Sequence, residues 1–216
     1  MPPKEEASTR RQLLHLLKTQ GNRPISDLSR ALGITEMAVR RHIHTLERDG
    51  LVQSTLVRQP MGRPMFRYSL TERADDLFPK NYPQLTLDLL GELEELGDGE
   101  LIDRMFDGRR AKLEARYAER MRGRPLAERV AELAAVQRAG GYMAEWEPAV
   151  EEGEYRLYEY NCPIAQVANR YRQACSCERR LFEALLDAEV ERTECLADGG
   201  GRCAYAVRPA GAAKRG

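Results

Sequence analysis

The sequence predicts an α+β chain in three parts: a small helical unit closed by a β-hairpin, a helical middle, and a cysteine-rich α+β unit. Three observations predict it. Apolar residues recur at helical spacing from residue 8 to residue 49, then alternate as in strands up to Leu70. Residues 71–137 are rich in Leu, Glu, Arg and Ala, all good helix formers. All five cysteines fall between Cys162 and Cys203, among short alternating segments punctuated by glycine. The expected boundaries are 1–74, 75–139 and 140–210.

In the first part, residues 8–19 place Leu13, Leu14, Leu16 and Leu17 on one helical stripe, with Ser8 or Thr9 as the cap. Gly21, Asn22 and Pro24 break that helix, and Ser26 is expected to cap a second one that Gly33 ends. Thr35 caps a third helix reaching about Asp49, with Val39, Ile43 and Leu46 facing inward at i, i+4 and i+7. Gly50 stops it. A strand over 51–58, a loop over Gln59–Pro64, and a return strand carrying Phe66, Tyr68 and Leu70 complete a winged helix-turn-helix.

Such a unit lays the second helix of the pair in the DNA major groove. Its outward residues here are Glu36, Met37, Arg40, Arg41 and His44. A guanidinium can fork onto guanine O6 and N7, so Arg40 and Arg41 are the leading contacts, to bases or to phosphates. Ser29 and Thr35 sit where hydroxyls meet phosphates. The hairpin adds Arg58, Arg63 and Arg67, with Arg63 at a tip suited to a minor groove. Charge agrees: residues 1–70 carry 12 Lys and Arg against 6 Asp and Glu, although the whole chain is neutral. Double-stranded DNA is the expected partner.

The middle reads as helices over 85–96, 99–121 and 125–139, with no catalytic spacing. Beyond Gly140-Gly141, a hairpin over Tyr142–Trp146 and Tyr155–Tyr160 is followed by helices at 163–174 and 178–188. Strands at Val190–Glu194 and Cys203–Val207 flank the loop 196–202, and several cysteines fall at junctions between elements. The chain has 42% apolar and 31% charged residues and no apolar run long enough to span a membrane. Its first residues lack the apolar core of a secretory signal, so a cytoplasmic protein is expected.

In a reducing cytoplasm, clustered cysteines point to a metal or redox site rather than a disulfide framework, and the odd count agrees. The spacing is Cys162-x12-Cys175-x-Cys177-x17-Cys195-x7-Cys203. Structural zinc favours paired C-x2–4-C knuckles, which are absent. Widely spaced thiolates suit an iron–sulphur cluster better. A structural zinc, a thiol redox switch and a thiol oxidoreductase using Cys175 or Cys177 are the alternatives. No C-x-x-C and no nearby histidine supports an enzyme, since His15, His42 and His44 all lie in the first part.

The run Asn161-Cys162-Pro163-Ile164-Ala165, then Cys175, Glu178, Leu181-Phe182, Leu185-Leu186, Val190-Glu191-Arg192, Cys195, Gly199 and Cys203, forms a pattern. So do LGIT-x-MAVRRHI-x-x-LE-x-x-GLV at 32–52 and GRP-x-F-x-Y-x-LT at 62–71. Together they resemble the winged-helix repressors of the iron–sulphur assembly (suf) operon, of DeoR/ArsR type. The resemblance covers both ends and matches the middle only loosely. It implies a cytoplasmic homodimeric repressor that is not an enzyme, with Cys162, Cys175, Cys195 and Cys203 as ligands of a cluster, [4Fe–4S] in preference to [2Fe–2S]. Cys177 lies outside the pattern and stands as a possible substitute ligand.

Overall fold

Helix formation begins at Lys4 in the computed structural model, which describes residues 4–58, 63–97 and 99–211. The first helix, α1 (Lys4–Gln20), buries Leu13, Leu14 and Leu17. The next, α2 (Ile25–Leu32), starts one residue before Ser26, because Pro24 takes the cap position with an extended backbone. Proline has no N–H to lose there, so the expected serine cap lies inside the first turn instead. Gly33 ends α2 in the left-handed region at φ 65°, a conformation costly for any side chain. Helix α3 (Glu36–Arg48) is capped as expected: Ala38 N–H donates to Thr35 Oγ1 at 3.2 Å.

Strands β1 (Val52–Val57) and β2 (Met65–Leu70) pair antiparallel, with Val52 opposite Leu70. Residues 59–62 of the expected turn, Gln59 to Gly62, lie outside the described residues. The hairpin is tied to the α1–α2 turn by reciprocal backbone bonds between Arg23 and Tyr68 at 3.0 and 2.8 Å. Leu13, Leu28, Val39, Ile43 and Leu46 fill the core beneath, so the inward stripe read from spacing is the packed one. A short 3-10 turn over Glu72–Leu77 closes the unit.

The chain divides between Lys80 and Asn81. The helical middle is therefore not a separate region. Helices α4 (Tyr82–Glu95), α5 (Gly99–Met121) and α6 (Leu126–Ala139) belong to the second unit. The reason is apolar: Val130, Leu133 and Ala134 of α6 pack with sheet residues Ala144, Leu157 and Val207, and α5 runs along a later helix over Gln173–Leu186. The sheet holds β3 (Ala144–Pro148), β4 (Tyr155–Glu159), β5 (Ala188–Glu194) and β6 (Cys203–Pro209) in the order β3-β4-β6-β5, all antiparallel. Antiparallel sheets with helices segregated beside them make this an α+β fold, as expected.

Two of the boundaries that differ from the sequence reading bear on the second unit. Strand β3 starts two residues late because Met143 takes φ 51°, outside any strand, and Tyr142 N–H closes α6 onto Gln137 O. The break between the two helices expected over 163–174 and 178–188 falls earlier, at Tyr171–Arg172, giving α7 (Ala165–Arg170) and α8 (Gln173–Leu186). Cys175 and Cys177 thus sit inside the first turns of α8 and not at a junction. Among the described residues no helix is long and apolar enough to cross a membrane.

Candidate functional site

The α3 helix presents Glu36, Met37, Arg40, Arg41 and His44 to solvent, with Met37 76% exposed. Arg40 touches Glu36 at 3.5 Å and His44 touches Glu47 at 3.8 Å, both surface pairs of the kind that contribute about 0–1 kcal/mol. Such pairs yield readily to a phosphate or a base. Thr35 spends its acceptor on the cap, which leaves its hydroxyl proton to donate outward. Ser29 differs: its hydroxyl donates to Ile34 O at 2.6 Å and holds the turn between α2 and α3. Arg58 and Arg63 are exposed at the ends of the wing, whereas Arg67 donates to Asn22 O at 3.2 Å and braces the hairpin.

In the second unit, Cys162, Cys175, Cys195 and Cys203 line one cavity of about 270 Å³. They arrive from four places: the loop before α7, the first turn of α8, the end of β5 and the start of β6. Each is held by its own local bonds. Asn161 Nδ2 donates to Gly141 O at 2.6 Å, and Cys162 O accepts from Ala165 N. Arg192 Nη2 donates to Cys175 O at 2.6 Å. Cys195 O accepts from Asp198 N and Gly200 N, and Leu196 N–H points at Cys203 Sγ from 3.4 Å. Glu194 clasps the loop by accepting from Gly201 N at 2.8 Å and Arg202 Nε at 3.2 Å. A Cβ on Gly200 would stand 2.8 Å from Cys195 O, so the turn admits only glycine without moving backbone.

Cys177 lies elsewhere. Its sulphur faces α5, accepting from Arg180 Nη2 at 3.0 Å and donating to Asp107 Oδ1 at 3.5 Å. Two residues along a helix is about 200° of turn, so Cys175 and Cys177 point to different sides of α8. All five cysteines are free thiols.

Burial pushes the Cys162 thiol up, Cys175 up to about 11 and Cys203 up to about 12. Cys177 is raised as well, by burial and then by its bond to Asp107. These are protonated thiols, the reverse of an activated nucleophile. Glu178 also lines the cavity, and Glu159 lies just behind it, 1% exposed. Burial raises both carboxyls, Glu159 to about 8, with Glu178 the next cause. Gln137 donates to Glu159 at 2.6 Å and Tyr205 donates to Glu178 at 2.9 Å. Among the described residues no three His, Cys, Asp or Glu side chains converge tightly enough to hold one metal ion. A mononuclear zinc would need all four sulphurs about 2.3 Å from one point.

Residues 7–54 match the family described as bacterial regulatory protein, arsR family. The first unit carries an arsR-type helix-turn-helix domain. No curated protein matches the chain. Among solved structures, a Lactococcus lactis ZitR mutant in apo form aligns at 22% identity, covering 51% of this chain and 85% of that one, with a TM-score of 0.31. RV1404 from Mycobacterium tuberculosis aligns at 20% identity over 66% of this chain and 76% of that one, with a TM-score of 0.29. The match ends at Ser54, so it spans the arsR-type reading helix and the start of the wing and leaves the thiol cavity outside it.

Beyond the arsR-type domain, sequence reasoning assigned no role to Glu159, Glu178, Arg192 or Tyr205. One signal was present. Tyr155, Leu157 and Glu159 share the face of β4 that turns inward, and a carboxylate in that register is out of place unless it is bonded.

Proposed function

We propose that the chain is a DNA-binding transcriptional regulator, a repressor, whose grip on its operator is gated by an iron–sulphur cluster held by Cys162, Cys175, Cys195 and Cys203. The observation that carries the reading is the convergence of these four thiols, spread over 42 residues of chain, on one cavity that excludes Cys177. The donor set fits the group: it is all soft sulphur, drawn from four elements around a shared space. When bound, the cluster supplies a tie that iron shortage or oxidation can undo, and [4Fe–4S] is the type the resemblance favours.

The chain's own residues do the rest. Thr35 caps α3 and sets its angle, while Arg40 and Arg41 reach base edges or phosphates, and Arg58 and Arg63 reach the flanking groove. In the sensing unit the four cysteines are free thiols, so ligation adds a tie between the loop before α7, α8 and the β5–β6 turn. A tenfold change in operator occupancy needs only about 1.4 kcal/mol of differential stability. A thiol oxidoreductase is disfavoured by the raised thiols of Cys175 and Cys177.

One reading helix covers half a site, so the regulator acts as a homodimer on a two-fold operator. Helix α4 offers the surface. Its inner side packs Leu90, while Leu85, Leu89 and Leu96 stand 54%, 59% and 78% exposed in a row on the adjoining side. A straight apolar ridge pairs with its own copy across a two-fold axis.

The test is the visible spectrum, iron and sulphide content of protein purified without oxygen. Broad visible absorption with iron and sulphide, lost in Cys162→Ser and kept in Cys177→Ser, is expected. Operator binding is then measured by gel shift with and without the cluster. A colourless protein holding one zinc per chain would sink the cluster reading and leave a winged-helix DNA binder with a structural metal.

A further inference from the structure

Four thiolates around a partly buried cavity are an electrostatic problem for the chain. Taking negative charge out of water is costly unless a cation or hydrogen-bond donors answer it. The two carboxyls nearest the cavity, Glu178 and Glu159, can supply no positive charge. Several arginines among the described residues stand near it, and they differ in burial and commitments. Arg172 sits at the rim and is committed to Asp198. Arg109 is exposed on α5. Arg192, on β5, is the buried one, with its side chain 15% exposed.

Arg192 is placed as a keystone. Its Nη2 donates to the carbonyl of Cys175 at 2.6 Å and to Tyr205 OH at 3.2 Å, and lies 3.5 Å from Glu178. Its guanidinium carbon stands 5.1 Å from the centre of the Tyr205 ring. Tyr205 in turn donates to Glu178 at 2.9 Å. The Nε of Arg192 is buried and has no hydrogen-bond partner among the described residues. A buried guanidinium with a spare donor costs the fold unless something else gains from its charge. We infer that Arg192 is the positioning residue of the thiol cavity: it pins the Cys175 backbone and supplies the buried positive charge against which four thiolates are held.

This role rests on the cluster reading, and its test separates the two. The full-length chain is loaded with ferrous iron and sulphide without oxygen, as wild type, Arg192→Gln and Arg192→Lys. Two readouts follow: the rate at which an iron chelator bleaches the visible absorption, and the midpoint potential for adding one electron from dithionite. That step makes or breaks no bond to the chain. In Arg192→Gln, bleaching speeds up by about 10-fold or more, the usual effect of losing an outer contact to a metal ligand, and the potential falls because the added negative charge meets no cation. In Arg192→Lys, the charge survives but the fork to Cys175 O and Tyr205 does not, so the potential returns toward wild type while bleaching stays fast.

Wild-type potential and lifetime in Arg192→Gln would overturn the inference with the cluster reading intact. A wild type that takes up no cluster would overturn both. If Arg192→Gln does not fold, as judged by circular dichroism, Arg192→Lys decides: faster bleaching at an unchanged potential supports the role, and wild-type bleaching overturns it.

Discussion

At the scale of single residues, the phase of α3 sorts packed from exposed positions once Val39, Ile43 and Leu46 are fixed, and it leaves Arg40 on the outward face. Arg40→Ala is expected to cost about 1–3 kcal/mol of operator binding if the residue reads a base, and to relax specificity at one position. If it meets phosphate instead, the loss is uniform across sequences and the salt dependence becomes shallower, which fluorescence anisotropy over a salt series distinguishes. The same reasoning could not see that the Ser29 hydroxyl is spent on Ile34 O or that Arg67 braces Asn22, since both bonds depend on how the α2–α3 and α1–α2 turns are folded. Nor could spacing show that Gly200 is forced by the approach of Cys195 O. Gly200→Ala is expected to destabilise the second unit by about 1–3 kcal/mol and to lower iron uptake per chain, measured by thermal unfolding and metal analysis.

At the scale of elements, most helices and strands were visible in the pattern, and the errors have physical causes. Glycine and proline marked the breaks at Gly33, Gly50 and Pro125, but nothing so blunt marks Tyr171–Arg172, where α7 gives way to α8. The break comes from tertiary packing: Ala168, Tyr171 and Ala174 turn together toward Leu90, Ile102 and Phe106. That displacement decides the site, because it puts Cys175 and Cys177 on one helix and sends them to different neighbours. Helix α4 was readable as amphipathic, yet its period alone does not tell which part of a wide apolar stripe the chain itself covers. Leu89→Glu is expected to leave the fold intact and shift the protein from dimer to monomer in sedimentation velocity, with operator binding weakened in step. Unchanged dimer mass would remove α4 from the interface.

At the scale of the molecule, two units with separate cores predict separable behaviour. A fragment of residues 81–216 is expected to take up iron and sulphide and to lose thermal stability when a chelator strips them. A fragment of residues 1–80 should bind DNA weakly and take no notice of either treatment. The division at Lys80 was not legible, because a leucine-rich helical stretch reads alike whether it links two units or belongs to one of them. The order of the two units along the chain has a further consequence. Domains fold as they are made, N-terminal first, so the reading unit is finished before the ribosome has added a single cysteine, and Cys203 comes last of the four. Under the proposed function every newborn regulator is therefore colourless and must be filled after synthesis. Each round of translation then poses a fresh demand on the cell's cluster supply, and the fraction of young chains that stay empty is itself the signal.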